Sequence, residues 1–406
     1  MEPVNPSSAS VPTELKALAT VISDAAQTLQ STVPLDVAHT RVTLQEACHR
    51  ILTLAIGPAE MLKQMVMIDR QNLASLQVIN HYKMASIIPT TGTMPIADLS
   101  DKCDLPVDIV ARVTRQAMSY GAFSEPKQGH IAHTDVSLEI PRLSPLLSYQ
   151  LEVCLPSMAR FQDWLEDENK EHKSAFQIAH NTTDTWWSYA SKRPELIENY
   201  GRYMALITTG GAHDVSYVLQ GFAWGQLGTS LVVDVGCANG LVGITLAEAY
   251  PDLTVIVEDN VNLKKDADAN IPSHLRSAVI FLPHSFFKPQ PSLGRFADVF
   301  LLRHILHDWD DEDCRTILRC LSASMKPGAS IVVAEQILGQ TGEVPWQANR
   351  VMRALDMQMM IQFGSKERTY GDWRRLFTSA DPSFEIVMCV QPDGSADSFM
   401  EVKKRS

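Results

Sequence analysis

His307 stands in the segment Leu301-Leu302-Arg303-His304-Ile305-Leu306-His307-Asp308-Trp309, where an apolar run gives way to charged residues. An imidazole titrates near neutral pH and can take a proton from a hydroxyl as that hydroxyl attacks. Two carboxylates further along could orient such a base. Glu335 closes a second apolar run, and Glu367 lies in Ser365-Lys366-Glu367-Arg368-Thr369. Taken singly, each reads equally well as a solvated charge. His304 and His307 are three apart and could suggest a metal. No third ligand of suitable spacing follows, because Asp310-Asp311-Glu312-Asp313 reads as the acidic first turn of a helix, so no metal is expected.

A second cluster suggests a ligand rather than a reaction. Asp234-Val235-Gly236-Cys237-Ala238-Asn239-Gly240 follows an apolar run and opens a helical stretch. Glycines at such a turn let the backbone approach a bound molecule closely. Asp259 ends the next apolar run, where a carboxylate can accept both hydrogen bonds of a ribose diol. The turn is not a G-x-G-x-x-G, since Cys237 and Ala238 occupy its middle. An amino-acid tail suits it better than a pyrophosphate. Met352, Met357, Met359 and Met360 share one predicted helix with Asp356, as a core face or as the wall of a substrate pocket.

These residues need strand ends to hold them. Leu231–Val235, Thr254–Val257, Ala278–Leu282, Ala297–Leu302 and Ser330–Ala334 are short apolar runs with helical stretches between most of them, the pattern of βαβ units and a buried parallel sheet. Phe384–Val390 and Ser398–Lys403 are joined only by a turn through Pro392, Asp393 and Gly394, so they must be antiparallel. That ending argues against an ordinary dehydrogenase domain.

Upstream, residues 1–13 read as a loose tail. Helical spacing follows over 14–30 and about 43–69, interrupted near Gly57 by Pro58. Leu73–Tyr82, Ile96–Lys102 and a helix opened by Pro106 and stopped by Gly121 precede a hairpin about Gly129. Helix, turn, helix, hairpin is a winged-helix layout. Its second helix carries only Arg112 and Arg115 as cations, so packing or dimerisation is the better reading than DNA recognition. Residues 140–215 are helical and rich in aromatics.

The 406-residue chain has a net charge of -12, which disfavours nucleic acid as a partner. Its seven cysteines are scattered without a C-x-x-C pair, as suits a reducing, cytoplasmic setting. No apolar run approaches the ~20 residues of a membrane span.

VVDVGCANG, the strand-end Asp259, FLLRHILHDW, VVAEQIL and GSKERTYGDWRRLF resemble, in order and spacing, the metal-independent small-molecule O-methyltransferases of fungal secondary metabolism and the plant caffeic-acid type. The match is strong from about residue 200 onward and looser upstream. Two features depart from the family pattern: Cys237 and Ala238 replace glycines of the usual turn, and Ser285 replaces an acid.

The resemblance implies an α/β chain: a helical, winged-helix dimerisation domain over 1–140, a helical connector over 141–215 that contributes to the substrate pocket, and a Rossmann-like seven-stranded domain over 216–406. It implies a homodimer. It implies S-adenosylmethionine beside Gly236, Gly240, Asp259, Ser285, Phe286 and Arg303, with S-adenosylhomocysteine as product. His307 would be the base, flanked by Glu335 and Glu367, and Tyr200, Met204, Asp308, Met357 and Met360 would face a small aromatic or polyketide-type acceptor. Some fungal proteins resembling this family bind the cofactor yet catalyse pericyclic ring closure, and that is the alternative reaction.

Overall fold

The computed structural model describes residues 11–31, 34–168, 171–339 and 344–405. The chain divides into two compact units, Met1–Ser144 with Gly339–Arg353 and Pro145–Leu338 with Ala354–Ser406.

In the first unit, helices Val11–Ser31 and Pro34–Ile56 pack as a pair. Residues 11–13 are therefore helical rather than part of a tail, since a proline is tolerated in a first turn. Residues 1–10, where the rest of that tail was expected, lie outside the described residues. Gly57, at a φ of 81°, breaks the second helix, and Pro58 starts the next one. The winged-helix layout follows. Helices Ile96–Cys103 and Val107–Met118 are framed by β1 (Met94–Pro95), β2 (Ser124–Lys127) and β3 (His130–Ala132), in sheet order β1-β3-β2. Pro106 is the N-cap and not the first helical residue. Val110, Thr114 and Ala117 give Val107–Met118 its buried face. Arg115, one of its two cations, is held by both carboxylate oxygens of Glu125.

The second unit is built on a sheet of β4 (Ser230–Val235), β5 (Leu253–Asp259), β6 (Val279–Pro283), β7 (Val299–Arg303), β8 (Ser330–Gln336), β9 (Phe384–Val390) and β10 (Asp397–Lys404). The order is β6-β5-β4-β7-β8-β10-β9, parallel throughout except for β10. Each expected strand is present, with ends that differ from the expected ones by at most two residues. The sheet is apolar on both faces. Val232, Val255, Val257 and Leu301 pack to one side, and Val233, Ile256, Phe300, Leu302 and Val333 to the other.

Strand order reverses direction at β4, between β5 and β7. That is where open α/β sheets bind ligands, outside the carboxyl ends of their strands. Residues from Pro145 onward belong to this unit too. Tyr149, Phe176, Trp186 and Tyr203 form the buried centre of an aromatic cluster, with Trp187, Tyr200 and Met204 half-buried against it. No single described helix is long and apolar enough to cross a membrane; the pair Thr40–Ile56 and Pro58–His81 qualifies only when taken together, and is bent by 105°.

Candidate active site

The strand-end chemistry is assembled around one tight loop. After β7 the chain turns through His304, at a φ of 53°, into the short helical turn Leu306–Asp308. Glu335, fully buried near the end of β8, stabilises that turn. Its Oε1 accepts the backbone N–H groups of Ile305 at 3.0 Å, Leu306 at 2.9 Å and His307 at 3.4 Å. Three donors on one carboxylate oxygen fix the loop as firmly as a helix cap would.

Glu335 Oε2 then lies 3.7 Å from His307 Nδ1. Glu367 comes from the segment after the helix Trp346–Phe363, with its own N–H donated to Asp356. Its Oε1 accepts from His307 Nδ1 at 2.9 Å. The bond puts the ring proton on Nδ1 and leaves Nε2 as the acceptor nitrogen. Asp308 Oδ1 stands 3.6 Å from that Nε2.

Burial pulls the imidazole toward its neutral form. Glu335, Asp308 and Glu367 outweigh it, and His307 is held well above the ordinary histidine range. Burial pushes the Glu335 and Asp308 carboxyls up to about 7 each, against the pull of His307. Nε2 is the ring nitrogen turned away from Glu367, with Asp308 as its close neighbour.

The glycine turn stands at the end of β4. Gly236 and Gly240 have φ of 76° and 78°, and Gly240 caps the helix Leu241–Ala249. A Cβ on Gly236 would fall 2.5 Å from Ile305 Cδ1, so only glycine fits beneath the His307 loop. Phe286 approaches the same point and packs on Trp309.

Comparison with known proteins settles the class. A family model for the O-methyltransferase domain matches residues 159–382. The O-methyltransferase aoiO of Aspergillus oryzae is 67% identical over 401 residues, spanning 99% of both chains. The chain belongs to the O-methyltransferase family. A second relative, the O-methyltransferase VdtC of Byssochlamys spectabilis, is 31% identical over 92% of this chain and 88% of its own. Two solved structures share the fold at low identity. OxaC with sinefungin and meleagrin has a TM-score of 0.81 at 19% identity, covering 97% of this chain and 99% of its own. LepI with S-adenosylmethionine has a TM-score of 0.76 at 21% identity, over 96% and 99%. The enzyme methylates a hydroxyl of a small molecule and uses S-adenosylmethionine as donor.

The methyltransferase's own residues fit that cofactor. Asp259 ends β5, and each of its oxygens accepts only one backbone N–H, from Ala238 at 2.9 Å and Asn260 at 2.6 Å. A carboxylate has lone pairs left for a ribose diol. Asp234 Oδ2 is buried with no hydrogen-bond partner among the described residues, and burial pushes that carboxyl up to about 7. An orphaned acid beside the glycine turn suits the ammonium of an amino-acid tail.

Other expected residues are placed less centrally. Arg303 is nearly buried and engaged, donating to the His213 carbonyl at 2.6 Å and to Asp397 at 3.3 Å. Ser285 is exposed. Tyr200 and Met204 join the aromatic cluster, whereas Met357 is 42% exposed and Met360 is half-buried.

Sequence reasoning missed Arg368. It is fully buried, and it donates to the carbonyls of Leu306 at 2.8 Å and Trp309 at 3.0 Å while pairing with Asp311. Ser365 Oγ holds the His307 carbonyl at 2.6 Å. Both residues sit beside Glu367 in the quoted motif, and that adjacency was the only signal available. Asp397 and His213 gave none.

Proposed function

We propose that His307 is the general base of the methyl transfer, oriented by Glu335 and Glu367, with Asp308 beside the incoming hydroxyl. The observation that carries this is the pairing of His307 Nδ1 with Glu367, which presents Nε2 as a proton acceptor. The bound sulfonium supplies an already activated methyl group. The protein must hold the acceptor oxygen in line with it and take the proton released as the oxygen–carbon bond forms. A phenol, with a pKa near ~10, needs that assistance. The imidazolium formed lies among carboxylates that favour it. Asp259, Gly236, Gly240, Arg303, Ser285 and Phe286 hold the cofactor in this reading, and Tyr200, Met204, Met357 and Met360 face the acceptor.

The acceptor is a flat, oxygenated secondary metabolite of the phenolic or polyketide kind, which the aromatic cluster around Tyr149 and Tyr200 suits. The working form is a homodimer in the cytoplasm. Residues 1–140 make the dimer contact and 141–215 serve the pocket. Leu62, Met65, Val66 and Met67 are each more than half exposed in one stretch of the first unit, an apolar surface that association would cover.

The test is incubation with methyl-labelled S-adenosylmethionine and a panel of phenolic and polyketide acceptors, read by mass. Labelled product is expected, and His307→Ala should lower turnover at least ~100-fold with little change in cofactor affinity. Acceptor consumed without label would mean that the fold performs a pericyclic ring closure instead. Near-normal turnover in His307→Ala would remove the base assignment.

A further inference from the structure

We propose that His213, His304 and Asp397 form a binding site for one divalent transition-metal ion, with Zn2+ the best match to the ligand set. Three separate segments converge here: the loop before β4, the turn after β7 and the first residue of β10. His304 Nε2 lies 2.8 Å and His213 Nδ1 3.0 Å from Asp397 Oδ1, and all three ligand atoms are within 4.8 Å of one another. Two imidazoles and one carboxylate, with a fourth position left open, make a familiar zinc set.

The spacing is close to what an ion needs. Zinc–nitrogen bonds of ~2.0–2.1 Å in a tetrahedral site place ligand atoms roughly 3.3 Å apart. Opening the two contacts to Asp397 by a few tenths of an ångström meets that on two edges, and the two imidazole nitrogens, within 4.8 Å of each other, need only rotate toward the shared ion on the third. On binding, each ring would carry a proton on the nitrogen turned away from Asp397 and present the lone pair of the other nitrogen to the ion.

The outer contacts are already built. Asp397 is 1% exposed, and its second oxygen is held by Arg303 Nη2, which also donates to the His213 carbonyl. A ligating carboxylate tied through its other oxygen is the usual outer support of such a site. Both histidine side chains stay about one-quarter exposed, at 25% and 22%, so an ion can enter. The backbone of His304 is left-handed and anchored by its N–H on the Ala334 carbonyl. That strained conformation aims a histidine, rather than the backbone-tolerant glycine, at Asp397.

His307, Glu335 and Glu367 also lie close enough to share an ion. Glu335 Oε1 is already committed to three backbone donors there, so we assign the ion to the other cluster. The rings of His304 and His307 are 5.7 Å apart, centre to centre. A dication one ring away opposes the positive charge that His307 gains in the reaction, so the site is inhibitory rather than catalytic.

The experiment is calorimetric titration of tag-free full-length protein with Zn2+, alongside the visible absorption of the Co2+ form, which reports tetrahedral ligation. The expected result is one ion per chain in the wild type and in His307→Ala, with affinity at least about 100-fold weaker in His213→Ala. His304→Gln, which keeps a donor to Asp397, is the second variant should His213→Ala prove unstable, and it too should lose the ion. Absence of binding in the wild type, or binding retained in His213→Ala and lost in His307→Ala, overturns the proposal. Neither readout depends on methyl transfer.

Discussion

Glu367 Oε1 and His307 Nδ1 are 2.9 Å apart, and this contact joins two stretches of chain sixty residues apart. It determines which nitrogen the proposed base leaves free, and it adds to the carboxylate field that holds His307 above its ordinary range. A base must be unprotonated to act, so kcat/KM should rise with pH through a value above the ordinary histidine range. Glu367→Gln keeps an acceptor but removes a charge. It should move that limb toward lower pH and lower the plateau by at most ~100-fold, the low end of the range for acid–base assistance. A profile that does not move would exclude Glu367 from the titration of the base.

Arg368 should matter for stability more than for chemistry. Replacing it with Met leaves the Leu306 and Trp309 carbonyls without their guanidinium donors. Asp311 can turn to water, but each carbonyl left buried without a donor costs ~1–3 kcal/mol. For a unit of this size the melting temperature should fall by on the order of 10 °C. Thermal denaturation reads this directly, and a fall of only a degree or two would show that water replaces the clamp.

The sheet was legible because burial on both faces leaves uninterrupted apolar runs, such as Leu231–Val235 and Ser330–Ala334, each bounded by polar turns. The antiparallel ending was legible from one short turn. His307 and its two glutamates were found through strand ends and a family pattern, but what Glu335 does was not. Its main contacts are to three backbone N–H groups, and no sequence pattern reports the position of a backbone donor. Arg368, Asp397 and His213 stayed hidden for a related reason. Their partners lie tens to hundreds of residues away, and a single arginine or aspartate in a polar stretch looks solvated until the fold buries it.

Cofactor affinity should depend on Asp259. Its two oxygens are each used once by the backbone, so a ligand diol would take the remaining lone pairs. Asp259→Ala should weaken binding of S-adenosylmethionine by roughly 1.5–3 kcal/mol. Calorimetric titration measures it, and an unchanged dissociation constant would place the ribose elsewhere.

Glu258, one residue earlier, predicts a pH effect on folding. It is buried at 1% exposure, and Gln290 Nε2 donates to its Oε1 at 2.6 Å. Burial pushes this carboxyl from 4.5 up to about 8, against the pull of Gln290. A raised folded value means that its contribution is complete below the ordinary carboxyl range. That contribution is lost as pH climbs through about 8, because the unfolded chain releases the proton first. Glu258→Gln should flatten the fall in melting temperature over that window. An equal fall in both proteins would assign it to other groups.

The placement of β10 between β8 and β9 sets an order of assembly. Both neighbours precede it in the chain, and among the described residues β9 pairs only with β10. As the polypeptide leaves the ribosome, β8 therefore presents an unpaired edge carrying Ile331, Val332 and Val333 until the β9–β10 hairpin is delivered. Asp397, which gathers Arg303, His213 and His304, arrives with that same strand. The sheet is thus completed only after β9 and β10 have both been made, and the β8 edge waits for the strand that also organises the ground beside His307.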